Sequence, residues 1–173
     1  MAAAHVDFGH ASASTLEFAD AFRGFATWAR LVECHDGDTC KLVFAPNVAF
    51  PSDMFKFTSR LFGIDASKMG SSLPALRARA VRARNRLLQL SGVPLADLDR
   101  AMTRTNVIAE LAVTPRVVFV LCHEMDKYGR LLVEVSAAPG QRTFNQVLLD
   151  EGLAYAYTGD AKMGEASQLA LGS

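Results

Sequence analysis

The nine residues RLFGIDASK, positions 60–68, place an arginine, an aspartate and a lysine directly after a strand-like run. A guanidinium offers a planar fork that matches two phosphate oxygens, and a carboxylate is a natural ligand for a hard cation. These residue types suit phosphodiester chemistry. Two more stretches carry groups of the same kind: DGDT at 36–39, with Asp36 and Asp38, and DKYGRLL at 126–132, with Lys127, Tyr128 and Arg130.

The elements that must position these residues follow from periodicity and turn chemistry. FATWARLVEC and TCKLVFA read as two strands about the Asp36-Gly37 turn, a strong hairpin signal. Trp28, Leu31 or Val32, Leu42 and Phe44 are the expected core residues. FPSDMFKFTSRLFGIDA reads as a linker and a third strand carrying Phe55, Phe57 and Leu61. Leu76, Ala80, Ala83, Leu87 and Leu90 recur at steps of three and four and predict a helix over 74–90, with Pro74 in its first turn. Leu95, Leu98, Met102 and Ile108 suggest a second helix over 95–111, starting at Pro94. RVVFVLCHE and RLLVEVSA form a strand pair about DKYG. TFNQVLLDEGLAYAY reads as a last amphipathic helix, capped by Asn145 or Thr143 and closed by Gly152.

The order of three strands, two helices, two strands and a helix predicts an α+β, mostly β fold: a five-stranded, strongly bent barrel with about three packed helices. An open sheet is the alternative on pattern alone. Residues 1–24 form an N-terminal arm in which Ser14 and Glu17 have capping-box spacing for a short helix. The domain proper spans 25–165, and 166–173 is a tail.

The chain has 173 residues, half of them hydrophobic, with 18 Lys plus Arg balanced by 18 Asp plus Glu. One ordinary core is therefore expected, and any polyanion binding must be local rather than driven by net charge. The N-terminal stretch lacks the pattern of a secretory signal, and no apolar run is long enough to span a membrane. A soluble, intracellular protein without membrane contact is expected. Cys34, Cys40 and Cys122 are too few and too odd in number for a disulfide framework. The Cys34-His35 and Cys122-His123 pairs match no standard zinc spacing.

DGDT, RLFGIDA and DKYGRLL, in that order and followed by NQVLLDEGLAYAY, resemble the staphylococcal nuclease (thermonuclease-like) family over about residues 27–160. The ending AYAYTGDAK looks most like versions from large DNA viruses, which would put the protein within a virus particle. The resemblance implies an oligonucleotide-binding (OB) type barrel and calcium-dependent hydrolysis of single-stranded DNA or RNA. It implies Asp38, Asp65 and the Ala66 carbonyl as calcium ligands with Asp36 behind them. Arg60 and Arg130 would clamp the phosphate, Lys127 and Tyr128 would contact a neighbouring phosphate, and Tyr155 or Tyr157 would stack on a base.

The family's catalytic glutamate, which orients or deprotonates the attacking water, corresponds to Lys68 in this sequence. Loss of such a base costs about 10² to 10⁴ in rate, and a cation beside the metal opposes its binding. Glu33, Asp53 and Glu124 are candidate substitutes. Two functions follow: a weakened calcium-dependent nuclease, or an inactive nuclease-fold module kept for nucleic-acid binding or assembly. The assembly reading would use the N-terminal arm or the helix face bearing Arg77, Arg79, Arg82, Arg84 and Arg86. Lys68 pairing with Asp38 or Asp65 would close the site to metal.

Overall fold

In a computed structural model of the chain, which describes residues 21–47, 49, 51–159 and 162–170, the backbone forms β1 (Ala26–Cys34), β2 (Thr39–Phe44), β3 (Phe55–Leu61), β4 (Ile64–Ala66), α1 (Pro74–Leu90), α2 (Arg104–Val113), β5 (Arg116–Met125), β6 (Leu131–Ser136), α3 (Phe144–Asp150), β7 (Ala154–Ala156) and α4 (Glu165–Ala170). Five strands close a barrel in the order β1-β2-β3-β6-β5. The closure pairs β3 with β6 in parallel, while every other barrel pairing is antiparallel. β4 and β7 form a separate two-stranded sheet. This is the five-stranded barrel expected of the OB type, and it excludes the open sheet. The helix with capping-box spacing expected in the N-terminal arm lies outside the described residues, apart from the turn at 21–24. No helix among the described residues is long and apolar enough to cross a membrane.

Alternation along the strands fills the barrel with Leu31, Leu42, Leu61, Val120, Leu131 and Val133. Leu87 and Leu88 of α1, Val107 and Leu111 of α2 and Leu148 of α3 pack against them. Burying each such side chain is worth about 1.5–3 kcal/mol. Trp28 does not join this core. The inward parity of β1 belongs to Ala29 and Leu31, so Trp28 stands outside, half exposed, edge-on to Phe119 at 5.5 Å between ring centroids. A register shift between Leu31 and Glu33 breaks the alternation and buries Glu33 and Cys34 in succession. Phe55 is also exposed, whereas Phe57 stacks on Phe44 at 4.4 Å.

The second helix starts nine residues later than the apolar spacing suggests. Thr103 and Asn106 satisfy each other's backbone N–H groups in a capping box, which fixes the start at Arg104. The preceding loop is held by α1 instead: Asn85 Nδ2 donates to the Leu98 and Arg100 carbonyls at 2.8 and 2.9 Å, and Arg84 Nη1 donates to Met102 O at 3.0 Å. Val107 and Leu111 are then the buried positions, and Ile108 is exposed.

The last predicted helix is also shorter. Thr143 caps α3, which ends at Asp150, and Gly152 at φ 65° turns the chain into β7. Asn145, rather than capping, is buried and ties α3 to the strands: its Oδ1 accepts from Val135 N, and its Nδ2 donates to Phe62 O and Val133 O. A fourth helix, Glu165–Ala170, runs across the expected boundary between domain and tail.

The arginines of α1 are not a uniformly solvated face. Arg77 donates to the Ser71 and Ser72 carbonyls, Arg79 to Gln168 O, Arg84 is buried on Met102, and Arg86 forks onto Glu151. Arg82 remains exposed, 3.6 Å from Asp99. Each of the first four ties a different segment of the chain to the helix.

Candidate nucleic-acid groove and its buried carboxylate pair

The barrel topology brings the singled-out residues to one end. Thr39 of β2 is paired with Arg60 of β3, and Leu61 N donates to Asp38 O at 2.8 Å, so the hairpin turn sits beside Arg60. Gly37 permits this turn to lie against α1, because a Cβ there would fall 2.4 Å from Ala83 Cβ. On the other side of β3, Arg60 is paired with Leu132 of β6, which carries Arg130 to the same end. A turn at Phe62-Gly63, with Gly63 at φ 76°, leads into β4. There Asp65 is paired directly with Tyr155 of β7.

Asp38, Arg60 and Asp65 meet in the interior, at 4%, 4% and 1% exposure. Arg60 Nη2 donates to Asp65 Oδ1 and to Ile64 O at 3.2 Å, and forms an ion pair with Asp38 Oδ2 at 3.2 Å. Asp38 Oδ2 also accepts from Ala66 N at 3.2 Å, and its Oδ1 accepts from Thr39 Oγ1 at 3.0 Å. Asp65 Oδ2 accepts from the Tyr155 hydroxyl, and its Oδ1 from Lys162 Nζ at 2.7 Å. All four carboxylate oxygens therefore accept from protein donors.

The two acids titrate in opposite directions. Burial, reinforced by the charge of Asp36 and opposed by Arg60, pushes Asp38 up to about 8. Burial also acts to raise Asp65, but hydrogen bonds from Lys162, Tyr155, Asp38 and Arg60 outweigh it and bring it down to about 2. The Tyr155 hydroxyl is driven up by burial and by the adjacent Asp65. Burial acts to lower Arg60, and the two carboxylates more than reverse it.

These residues do not fit a calcium ion. Calcium takes six to eight oxygens at about 2.3–2.6 Å, whereas the oxygens here are already engaged by two cationic groups, a hydroxyl pair and a backbone N–H. Ala66 turns its N–H toward Asp38, and Asp36 Oδ1 accepts from Asp38 N at 3.3 Å rather than approaching Asp65. Among the described residues no group of three or more His, Cys, Asp or Glu side chains is placed to hold a metal. The cysteines do not alter this: all three are buried, and burial pushes the Cys40 and Cys122 thiols up to about 12.

Outside the pair lies a groove of about 660 Å³, lined among others by Arg60, Arg130, Lys127, Tyr128, Phe62 and Tyr157. Asp126 builds its turn: Oδ1 accepts from the backbone N–H groups of Tyr128 and Arg130, and Oδ2 accepts from Arg130 Nε at 2.7 Å and pairs with its Nη2 at 2.6 Å. The Arg130 and Lys127 charges lie 5.4 and 5.3 Å from the Tyr128 ring centroid. Arg60 lies 5.0 Å from the Tyr157 ring centroid. Of the two tyrosines expected near a base, Tyr157 faces the groove, and Tyr155 is buried with its hydroxyl on Asp65.

Lys68 is exposed and forms no ion pair with Asp38 or Asp65. It lines a second, smaller cavity of about 160 Å³ beside Lys162 and Glu165. Of the substitute bases, Glu33 is held by Arg104 and Lys41 on β1, and Asp53 lies exposed ahead of β3. Glu124 lines the groove, paired with Arg23 at 3.3 Å.

Three roles are not foreseen from sequence: that of Tyr155, expected to stack on a base, as a carboxylate donor, and those of Lys162 and Gln168, which are not singled out there. The period-two run Ala154-Tyr155-Ala156-Tyr157 is a strand signal that would have exposed the first. Lys162 and Gln168 carry no local signal, since their contacts reach 97 and 101 residues back along the chain. Residues 99–171 match the family model described as staphylococcal nuclease homologue. No curated protein matches the chain.

Proposed function

We propose, on the premise that this chain carries a staphylococcal nuclease-like domain, that it is a binding module for single-stranded DNA or RNA whose hydrolytic centre is closed. The observation that carries this reading is the complete engagement of the Asp38 and Asp65 oxygens by the protein's own donors. A nuclease of this type needs those oxygens for a cation and a free guanidinium for the charge that develops on phosphate. Here Arg60 is spent on the carboxylates, and Lys68 replaces the base.

The groove keeps what binding requires. Arg130 and Lys127 supply local positive charge, and Tyr128 and Tyr157 offer rings on which bases stack. The phosphate would lie against Arg130, whose guanidinium is held side-on by Asp126 and oriented before a ligand arrives. Because the whole chain is neutral, attachment should depend on these few cations and weaken as salt rises.

The calcium-dependent nuclease is the second reading. One observation favours it: the Lys162 side chain is 45% exposed, so its withdrawal would uncover Asp65 without unfolding the barrel. Fluorescence anisotropy with labelled oligo-dT and oligo-U, in calcium and in EDTA, with product analysis on denaturing gels, separates the readings. Binding in both buffers without cleavage is the expected result. Calcium-dependent cleavage that disappears in Asp65→Asn would establish the nuclease, and absence of binding would leave the assembly role.

A further inference from the structure

The chain supplies its own cation to the carboxylate pair. Lys162 Nζ donates to Asp65 Oδ1 at 2.7 Å, its half-exposed stem running in from the surface to an aspartate that is 1% exposed. A mobile lysine on a loose tail could make such a contact by accident, but the segment after Lys162 is fastened. Glu165 Oε1 accepts from Ser71 Oγ at 2.7 Å, ahead of α1. Gln168 is buried: its Oε1 accepts from Ser67 Oγ at 3.0 Å, and its Nε2 donates to Met163 O at 2.8 Å and toward the Tyr155 hydroxyl at 3.4 Å. Arg79 of α1 donates to Gln168 O. The same Tyr155 hydroxyl donates to Asp65, so the strap and the carboxylate share a partner.

We infer that Lys162 is a built-in replacement for a divalent ion, seated by the 162–170 strap so that the site holds an ammonium and excludes calcium. This deepens the closed-centre reading and rests on it. The charges support it. Two acids face two cations, Arg60 and Lys162, so the buried pair holds no surplus negative charge for a divalent ion to neutralise. An ammonium satisfies its donors with few acceptors, whereas calcium needs at least six oxygens. Lys68, the lysine that replaces the family's glutamate, does not take this place; it stays at the mouth of the smaller cavity.

The test titrates calcium into the full chain by isothermal titration calorimetry, comparing the natural protein, Lys162→Met, and Lys162→Met combined with Asp65→Asn. The expected result is a gain of about tenfold or more in calcium affinity on removing the ammonium, reversed by the second substitution. Equal affinity in the natural protein and Lys162→Met overturns the inference. A second measurement needs no variant: limited acylation of the natural protein, mapped by mass spectrometry, should modify Lys162 more slowly than Lys68, and equal rates overturn it as well. Neither readout involves nucleic acid, so a failure here is separable from a failure of the binding proposal.

Discussion

Arg60 of β3 and Arg130, in the turn ahead of β6, line the same groove, yet they live in different electrostatic worlds. Arg60 is 4% exposed and bridges two buried carboxylates and a carbonyl. Arg130 is a quarter exposed and held by one aspartate in its own turn. A buried charge has to be matched by protein groups, because water is not there to do it. The interior cluster is therefore closed on itself, whereas the outer turn holds its arginine in position with capacity left for a ligand. Residue type alone does not distinguish the two.

The sharpest way to break this comparison is to remove each arginine in turn. Arg60→Leu leaves two carboxylates without their shared partner and should cost about 3–5 kcal/mol of stability; Arg130→Leu should cost about 1 kcal/mol or less. Urea denaturation of both variants checks this, and equal losses would erase the distinction. Tyr155→Phe removes a hydroxyl donor to a charged acceptor and should cost about 1.5–3 kcal/mol, read as a lowered thermal midpoint, with Tyr157→Phe close to neutral.

Acid titration examines the interior from another side. Asp65, held at about 2 against 3.8 for an ordinary aspartate, contributes stability that is complete above the higher value and is lost as pH falls through the lower one. That contribution is on the order of 2 kcal/mol, and Asp65→Asn should flatten the acid limb of stability against pH. Asp38 has the opposite sign. Raised from 3.8 to about 8, its protonated form gives a stabilisation that is complete below the lower value and is lost as pH rises through the higher one; Asp38→Asn should flatten stability against pH across that window.

The outer turn calls for the converse result. Tyr128→Ala should weaken single-stranded DNA binding by about 1–3 kcal/mol per stacked base while leaving the unfolding curve in place, as paired anisotropy and melting measurements would show. Smallest of all is Lys68→Glu, an exposed change expected to stay within about 0.5 kcal/mol in stability. It should not produce cleavage by itself, because Lys162 and Arg60 still engage Asp65. Cleavage gained from that single change would show that the carboxylate pair opens readily.

Much of this architecture could be read from the chain directly. Period-two alternation, the Asp36-Gly37 and Asp126–Gly129 turns and the Leu76–Leu90 stripe located all five barrel strands and α1, because those signals are local and the barrel obeys them. Two boundaries failed where a side chain overrode the apolar spacing. The Thr103–Asn106 capping box moved the start of α2, and Gly152 converted the end of a helical pattern into β7. Trp28 failed because β1 has two candidate faces, and only closure against β2 and β5 selects which one is inside.

What the amino-acid order determined by itself is the set of groups and their approximate addresses: two aspartates, two arginines, a lysine close behind Asp65, and the strands that carry them. What the tertiary structure decided is how those groups are used. Asp65 receives Tyr155 from 90 residues away and Lys162 from 97, while four of the five α1 arginines fasten other segments to the helix instead of presenting a charged face. The physical reason is that a charge acquires its role from burial and from the partners within about 3 Å of it, and neither is a property of neighbouring residues in the chain.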